Sequence, residues 1–424
     1  MMTSPFAPSL FMFFFHLVNN WPKFALFIFD HSVRSNVYRI EIHWSRPSIG
    51  DSFPYSNTFV NTPEEFARNY GRATVSVCDS IPSRLRNTSI IFQWTVDYRT
   101  EHRQLSSSHC RVDWIAPIQG DYIVSVSGHM QSESGTTLSG SVVVKISDRW
   151  IVAIGDSFAS GEGNPDIPIV SSKTAHAQWI SDRCHRSARS WAFKIYKKIR
   201  DVTPDSALHF TYLPCTGASV DNGILVSATG SSQLDVVRQL AQLRKSGPDL
   251  LLMSAGGNDI GYSEILSTLI WGESSSLFAS VDMRFFYASY QLDRIAAQLQ
   301  KIKPNQVIIP HYFDLTRNER GVVDANCDEL RQITTEKLRL AEKKILQRIN
   351  KLISKKSHEY GWIPVERIGD VFHSRGLCSS RPLIRSVRDS IRLQGNSMGA
   401  FHPTEEAHQM IAEIIWQQLQ HAGR

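Results

Sequence analysis

Between residues 36 and 148 apolar and polar positions alternate along the chain. The runs "NVYRIEIHW", "TVSVC", "SIIFQWTVDY", "DYIVSVSGHM" and "SGSVVVKI" each repeat with a period of two, and turn clusters such as "IQGD" and "SESGTT" separate them. Successive side chains of a strand point to opposite faces, so this pattern predicts short strands with one face buried and one in water. From Trp150 the period changes. "RWIVAIGDS" is apolar almost throughout, as in a strand covered on both faces, and "SARSWAFKIYKKIRD" has the spacing of an amphipathic helix. The alternation then continues. "LHFTYLPCTGAS", "PDLLLMSAGGNDIGY", "NQVIIPHYFDL" and "WIPVERI" read as strands, the first two running into loops. "SQLDVVRQLAQLRKSG", "YQLDRIAAQLQKIKP", "TTEKLRLAEKKILQRINKLISKKSHEYG" and "TEEAHQMIAEIIWQQLQ" read as helices.

Strands alternating with helices predict an α/β domain, a doubly wound parallel sheet flanked by helices. The division expected is a leader over residues 1–34, a smaller all-β sandwich over 35–148 and the α/β domain over 149–424. Cys78 and Cys110 near Trp94 suggest an immunoglobulin-like sandwich, although their spacing is short for one. In the Lys-rich helix over 334–357, Leu338, Ile345, Ile349, Leu352 and Ile353 fall near one face. This is a crossover helix packing on the sheet with its lysines in water, with a membrane-docking helix as the sharper alternative.

Charge and cysteines narrow the setting. A net charge of +6 over 424 residues, without a dense basic block interleaved with aromatics, argues against nucleic acid as a partner. It leaves room for peripheral contact with an anionic membrane surface. The six cysteines form no C-x-x-C pair, which disfavours a zinc cluster. The simplest pairing is sequential, Cys78–Cys110, Cys184–Cys215 and Cys327–Cys378; six free thiols in a cytosolic protein are the alternative. Residues 5–18, "PFAPSLFMFFFHLV", are too short for a membrane span but suit a signal-peptide core, though no Lys or Arg precedes them. A signal anchor or a misassigned start fits the same stretch. Asn87, in "RNTS", is a candidate glycosylation site if the chain is secreted. A secreted or lumenal protein is expected.

In open α/β sheets, sites form in the crevice at the carboxyl ends of the strands. Three predicted strand ends carry chemistry here: Ser157 in "IVAIGDSFASGEG", Gly217 in "CTGAS" and Asn258 in "GGND". His402 or His408, in "FHPTEEAH", precedes or opens the last helix, with Thr404 as a plausible N-cap. Acyl transfer needs a hydroxyl, a base beside it, donors for an oxyanion and a group that orients the base. Each residue alone has a plainer reading: Ser157 as a helix cap, Gly217 as a turn, Asn258 as a loop residue, His402 as surface.

The four blocks, in this order, resemble those of the SGNH (GDSL-type) hydrolase superfamily over roughly residues 148–420. "CHRSARSWA", "LPCTGAS" and "VFHSRGLC" further resemble its secreted, disulfide-containing bacterial lipase/esterase branch, which supports Cys184–Cys215 and Cys327–Cys378. The resemblance implies Ser157 as nucleophile and His402 as general base. It implies the Ser157 and Gly217 N–H groups with the Asn258 side chain as oxyanion hole, and His408 as structural. One position departs from it. The superfamily's last block usually reads D-x-x-H, and Gly399 stands where the acid belongs. A backbone carbonyl takes that role in some members of the branch; Asp389 is a second, less favoured candidate. The implied function is a serine esterase or lipase that needs no metal or cofactor. Its expected substrate is a lipid ester, with acetylated carbohydrate as runner-up. A catalytically weak pseudoenzyme acting as a binding protein is the rival class. A monomer is expected.

Overall fold

The computed structural model describes residues 36–422 except 48–52, 54, 56–58, 106, 131–135, 174, 204–205, 263–264, 266–279 and 332. The predicted leader, residues 1–34, lies outside the described residues. Two hydrophobic cores organise the rest.

The first core lies between two sheets. One has the order β1-β8-β7-β4-β5, with β1 (Asn36–Arg39), β4 (Ile90–Tyr98), β5 (Glu101–Leu105), β7 (Gly120–Met130) and β8 (Thr136–Ile146). The other is β2 (His43–Ser45), β3 (Arg72–Ser76) and β6 (Arg111–Ile115). The period of two is visible in β7, where Tyr122, Val124 and Val126 are buried while Asp121 and Ile123 are exposed. Trp94 of β4 is fully buried and donates its indole N–H to the His109 carbonyl at 2.9 Å. A disulfide, Cys78–Cys110, ties the end of β3 to the start of β6. Both cysteines therefore flank neighbouring strands of one sheet. The run "NVYRIEIHW" does not form one strand. It breaks after Arg39, so that β1 pairs in parallel with β8 and β2 pairs antiparallel with β3. Ile40 and Ile42 at the break are both buried between the sheets.

The second core surrounds an all-parallel sheet of order β10-β9-β11-β12-β13. Its strands are β9 (Asp148–Gly155), β10 (Ala207–Tyr212), β11 (Leu250–Ser254), β12 (Val307–Pro310) and β13 (Ile363–Val365). The chain starts in β9, steps to β10 on one side, then crosses back to β11 on the other. The C-terminal end of β9 is thus the switch point at which such sheets open a crevice. Helices α3 (Trp191–Val202), α8 (Ile368–Phe372) and α10 (Glu405–Ala422) form one packed layer. Helices α4 (Gln233–Arg244), α5 (Val281–Ile302) and α7 (Gln347–Tyr360) form another. Helix α7 continues α6 (Thr335–Ala341) through one π-helical turn, Glu342–Leu346. It buries Ile345, Ile349 and Ile353, and most of its lysines are exposed. Lys356 is the exception, buried against Asp293.

A short helix within the first half of the chain belongs to the second core. Helix α1 (Pro63–Asn69) has a capping box: Thr62 Oγ1 accepts the Glu65 N–H and Glu65 Oε2 accepts the Thr62 N–H, both at 3.2 Å. It buries Phe66 against Trp150, with ring centroids 5.3 Å apart. Ahead of it, the Val60 N–H bonds the Phe210 carbonyl at 3.0 Å, so residues 59–60 run beside β10. At this seam the buried Asp148 carboxylate pairs with Arg46 and accepts the Gly71 N–H at 2.7 Å. His209 Nε2 lies 2.6 Å from it. Burial, aided by the positive Arg46 and Arg244, pushes His209 down to about 3, so the ring is neutral and donates to Asp148.

Candidate active site

The three loops at the switch point meet. Strand β9 ends at Gly155, and Asp156 caps the single turn α2 (Ser157–Ser160) by accepting the Phe158 N–H at 3.0 Å. The cap is therefore Asp156, and Ser157 is the first helical residue with its hydroxyl free for another partner. Asp156 is itself buried and accepts two further bonds, from Ser254 Oγ at 2.6 Å and Tyr312 Oη at 3.0 Å. The Tyr312 oxygen in turn accepts the Gly257 N–H at 2.9 Å. Burial and the Asp156 charge raise the Tyr312 pKa well above its ordinary value, which keeps the phenol a donor. One carboxylate thus pins the ends of β9 and β11 and the residues after β12 to each other.

His402 enters from the loop between α9 (Val387–Gln394) and α10. Its Nε2 lies 2.8 Å from Ser157 Oγ and its Nδ1 3.0 Å from the Ala400 carbonyl. A carbonyl only accepts, so Nδ1 carries the proton and Nε2 is left to accept from the Ser157 hydroxyl. The loop is held by backbone bonds: the Arg385 N–H to the His402 carbonyl and the Phe401 N–H to the Arg385 carbonyl, both 2.8 Å. Phe401 sits at φ +65°, a left-handed conformation costly for a bulky residue, immediately before the imidazole. Thr404 caps α10, its Oγ1 accepting the Ala407 N–H at 3.2 Å.

Gly217 lies in the loop after β10 at φ +73°. The Thr216 N–H bonds the Cys184 carbonyl at 3.1 Å, and the Cys184–Cys215 disulfide fastens the same loop. Asn258, after β11, gives one amide hydrogen to the Ala218 carbonyl at 2.8 Å; the amide carries a second. Ser157, Gly217, Asn258 and His402 all line one cavity of about 520 Å³. Its walls include Phe158, Tyr262, Tyr312, Phe313, Met398 and Phe401.

The other predicted residues lie apart. Asp389 is in the first turn of α9, bonded to Ser386 Oγ at 3.0 Å and paired with Arg392 at 3.3 Å, and neither of these bonds reaches His402. His408 is fully buried; its Nδ1 accepts the Trp191 N–H at 3.2 Å, and burial holds its pKa well below the ordinary value. Cys327–Cys378 ties the loop after β12 to the segment after α8. Asn87 is exposed in a turn. Gly399 is a glycine for steric reasons: a Cβ there would lie 2.6 Å from Gly163 Cα, closer than real contacts come. The two backbones pass too near each other for the acid of a D-x-x-H block. Among the described residues, no cluster of His, Cys, Asp or Glu could hold a metal ion.

Sequence reasoning missed the roles of Asp156 and Tyr312 in holding these loops together. Asp156 stands beside Ser157 in "GDSFASGEG", but nothing in the pattern marks it as the residue that ties three loops together. Tyr312 gives no signal beyond its place at a strand end.

The family model for GDSL-like lipase/acylhydrolase matches residues 151–415, more than half of the chain, and the chain belongs to that family. It is a carboxylic ester hydrolase. It is similar to a lipase of Streptomyces rimosus, 25% identical over 276 residues, covering 60% of this chain and 80% of that protein. Lipase 1 of Streptomyces coelicolor is 25% identical over 268 residues, with the same shares covered. Among solved structures, the extracellular lipase of Streptomyces rimosus aligns at TM-score 0.48 and 20% identity, over 63% of this chain and 99% of that one.

Proposed function

We propose that this hydrolase works through an acyl-enzyme on Ser157 with His402 as its base. The observation that carries the reading is the 2.8 Å contact of His402 Nε2 with Ser157 Oγ while Nδ1 is fixed by the Ala400 carbonyl. Ser157 Oγ attacks the ester carbonyl carbon as its proton passes to Nε2. The carbonyl oxygen becomes an oxyanion facing the Ser157 and Gly217 N–H groups and the second Asn258 amide hydrogen. The leaving alcohol takes the proton from Nε2. Water, deprotonated by the same nitrogen, then releases the acid and restores Ser157. The Ala400 carbonyl orients the ring and meets the developing imidazolium with a dipole rather than a full charge.

Lipid esters are the proposed substrates, because the cavity over Ser157 is walled largely by aromatic and aliphatic side chains. The three disulfides support an oxidising, extracellular or lumenal setting, with residues 1–34 as signal and Asn87 open to glycosylation. The division at residues 148–149 and the immunoglobulin-like character of the first half belong to the same proposal. The β8-β7-β4 order with β1 parallel to β8, and Trp94 on β4, support that likeness; the bridge within one sheet departs from it. Labelling by a fluorophosphonate probe, lost in Ser157→Ala, tests the mechanism. A panel of p-nitrophenyl esters of rising acyl length, a phospholipid and an acetylated glycan tests the substrate. Preference for the glycan would overturn the lipid reading.

A further inference from the structure

The space that an acid at position 399 would enter is filled. Besides Gly163 Cα, a Cβ at Gly399 would meet Gln394 Oε1 at 2.7 Å and Ser390 Oγ at 2.9 Å. Gln394 Oε1 accepts the Gly163 N–H at 3.1 Å, and its Nε2 donates to Glu162 Oε1 at 2.8 Å. Glu162 is completely buried, and its second oxygen lies 2.7 Å from His185 Nδ1. The His185 ring is held in turn by stacking on Trp179, with centroids 4.5 Å apart. The Glu162 N–H bonds the Ser157 carbonyl at 3.2 Å, so this carboxylate belongs to the turn that carries Ser157. Burial alone would raise its pKa. The bond from His185, the nearby positive potentials of His402 and His185, and the Gln394 amide outweigh it and lower the group to about 2. A buried ionised carboxylate is expensive unless opposite charge and hydrogen bonds answer it. Here one is kept a single amide behind the point from which an acid at 399 would have reached.

We infer that Glu162, held by Gln394 and His185, is a positioning residue that supplies from the Ser157 turn the negative charge stabilising protonated His402. The inference rests on the Ser157–His402 reading above. Other charged groups lie around this loop. Arg385, ahead of α9, bonds the Gly163 carbonyl at 3.1 Å and Asn164 Oδ1 at 2.7 Å. Its charge is moderated by Asp389 and Glu405. His408 lies on α10, with Lys194 of α3 beyond it. Arg385 and Lys194 oppose a charge on His408. Asp156, buried beside Ser157, is a second carboxylate lining the cavity that His402 lines, and Glu162 is a buried carboxylate whose charge couples to His402.

The pH dependence of kcat/KM separates this role from a structural one. Glu162→Gln should lower the plateau about tenfold. It should also move the acid limb to lower pH, because the imidazolium loses its stabilising charge. His185→Asn keeps the carboxylate and removes the imidazole that shares its charge, so the limb should move to higher pH. An unmoved limb in Glu162→Gln, whatever its rate, overturns the inference. If that variant is not recovered folded, a His185→Asn limb that stays put or moves down overturns it. Hydrolysis surviving in Ser157→Ala would instead sink the Ser–His reading itself, so the two failures are distinguishable.

Discussion

The two halves of the proposed catalytic pair are held in unlike ways. Ser157 rides on a sheet: its turn is fixed by a buried carboxylate with three hydrogen bonds, to groups on β11, on α2 and after β12. His402 sits in a loop, oriented by a single carbonyl and by backbone bonds to Arg385. Side-chain networks in a buried setting resist displacement, and a loop fixed through its backbone follows wherever that backbone is pushed. The difference teaches that the serine side should tolerate loss of one bond, whereas the histidine side should fail under steric change.

Removing either reacting group gives the largest effect. Ser157→Ala or His402→Ala should cut ester hydrolysis by about 10³–10⁶-fold with little change in melting temperature, read by steady-state kinetics and calorimetry. Next comes Gly399→Ala. The added Cβ must displace Gly163 or the histidine loop, so kcat should fall about 100-fold and stability by about 1–3 kcal/mol. Wild-type activity in this variant would break the contrast. Tyr312→Phe is milder: it removes one of the bonds on Asp156 and leaves Gly257 N–H without its acceptor. A loss of about 1–2 kcal/mol in unfolding free energy and of threefold to tenfold in kcat is expected. A loss matching Gly399→Ala would show the serine side to be equally fragile.

The smallest effect is electrostatic. Burial, opposed by the Val220 N–H and reinforced by the Asp156 charge, raises Asp259 beside Asn258 to about 6. A carboxyl whose folded pKa exceeds its unfolded value binds more protons when folded, so stability falls as pH rises from about 4 to 6 and stays lowered above that. Asp259→Asn should therefore gain about 1 kcal/mol at pH 7.5 in denaturant titrations and nothing at pH 3.5. A gain at both pH values would remove titration as its cause.

Much of this was legible in the sequence because period and order carry it. The shift from alternating to continuous apolar runs at Trp150 marks the start of the parallel sheet. The Ser157, Gly217 and Asn258 loops follow consecutive strands that the topology brings to one switch point. What the sequence hid depends on distance rather than pattern. Phe66 reads as a residue of the β-rich half and packs under Trp150. "NVYRIEIHW" alternates from Tyr38 onward, yet serves two sheets. Gly399 reads as a lost acid; only the close passage of Gly163 explains it, and only folding brings Gln394 and Glu162 behind it.

The seam between the two cores bears on how the enzyme could be shortened. A chain begun at Arg149 would lack residues 59–60, leaving the β10 rim open to pairing with other molecules. It would also lack Phe66, uncovering Trp150, and the Asp148 carboxylate that His209 needs. The catalytic half is thus a tenant of its neighbour's walls, and trimming it free should yield aggregate rather than a smaller esterase.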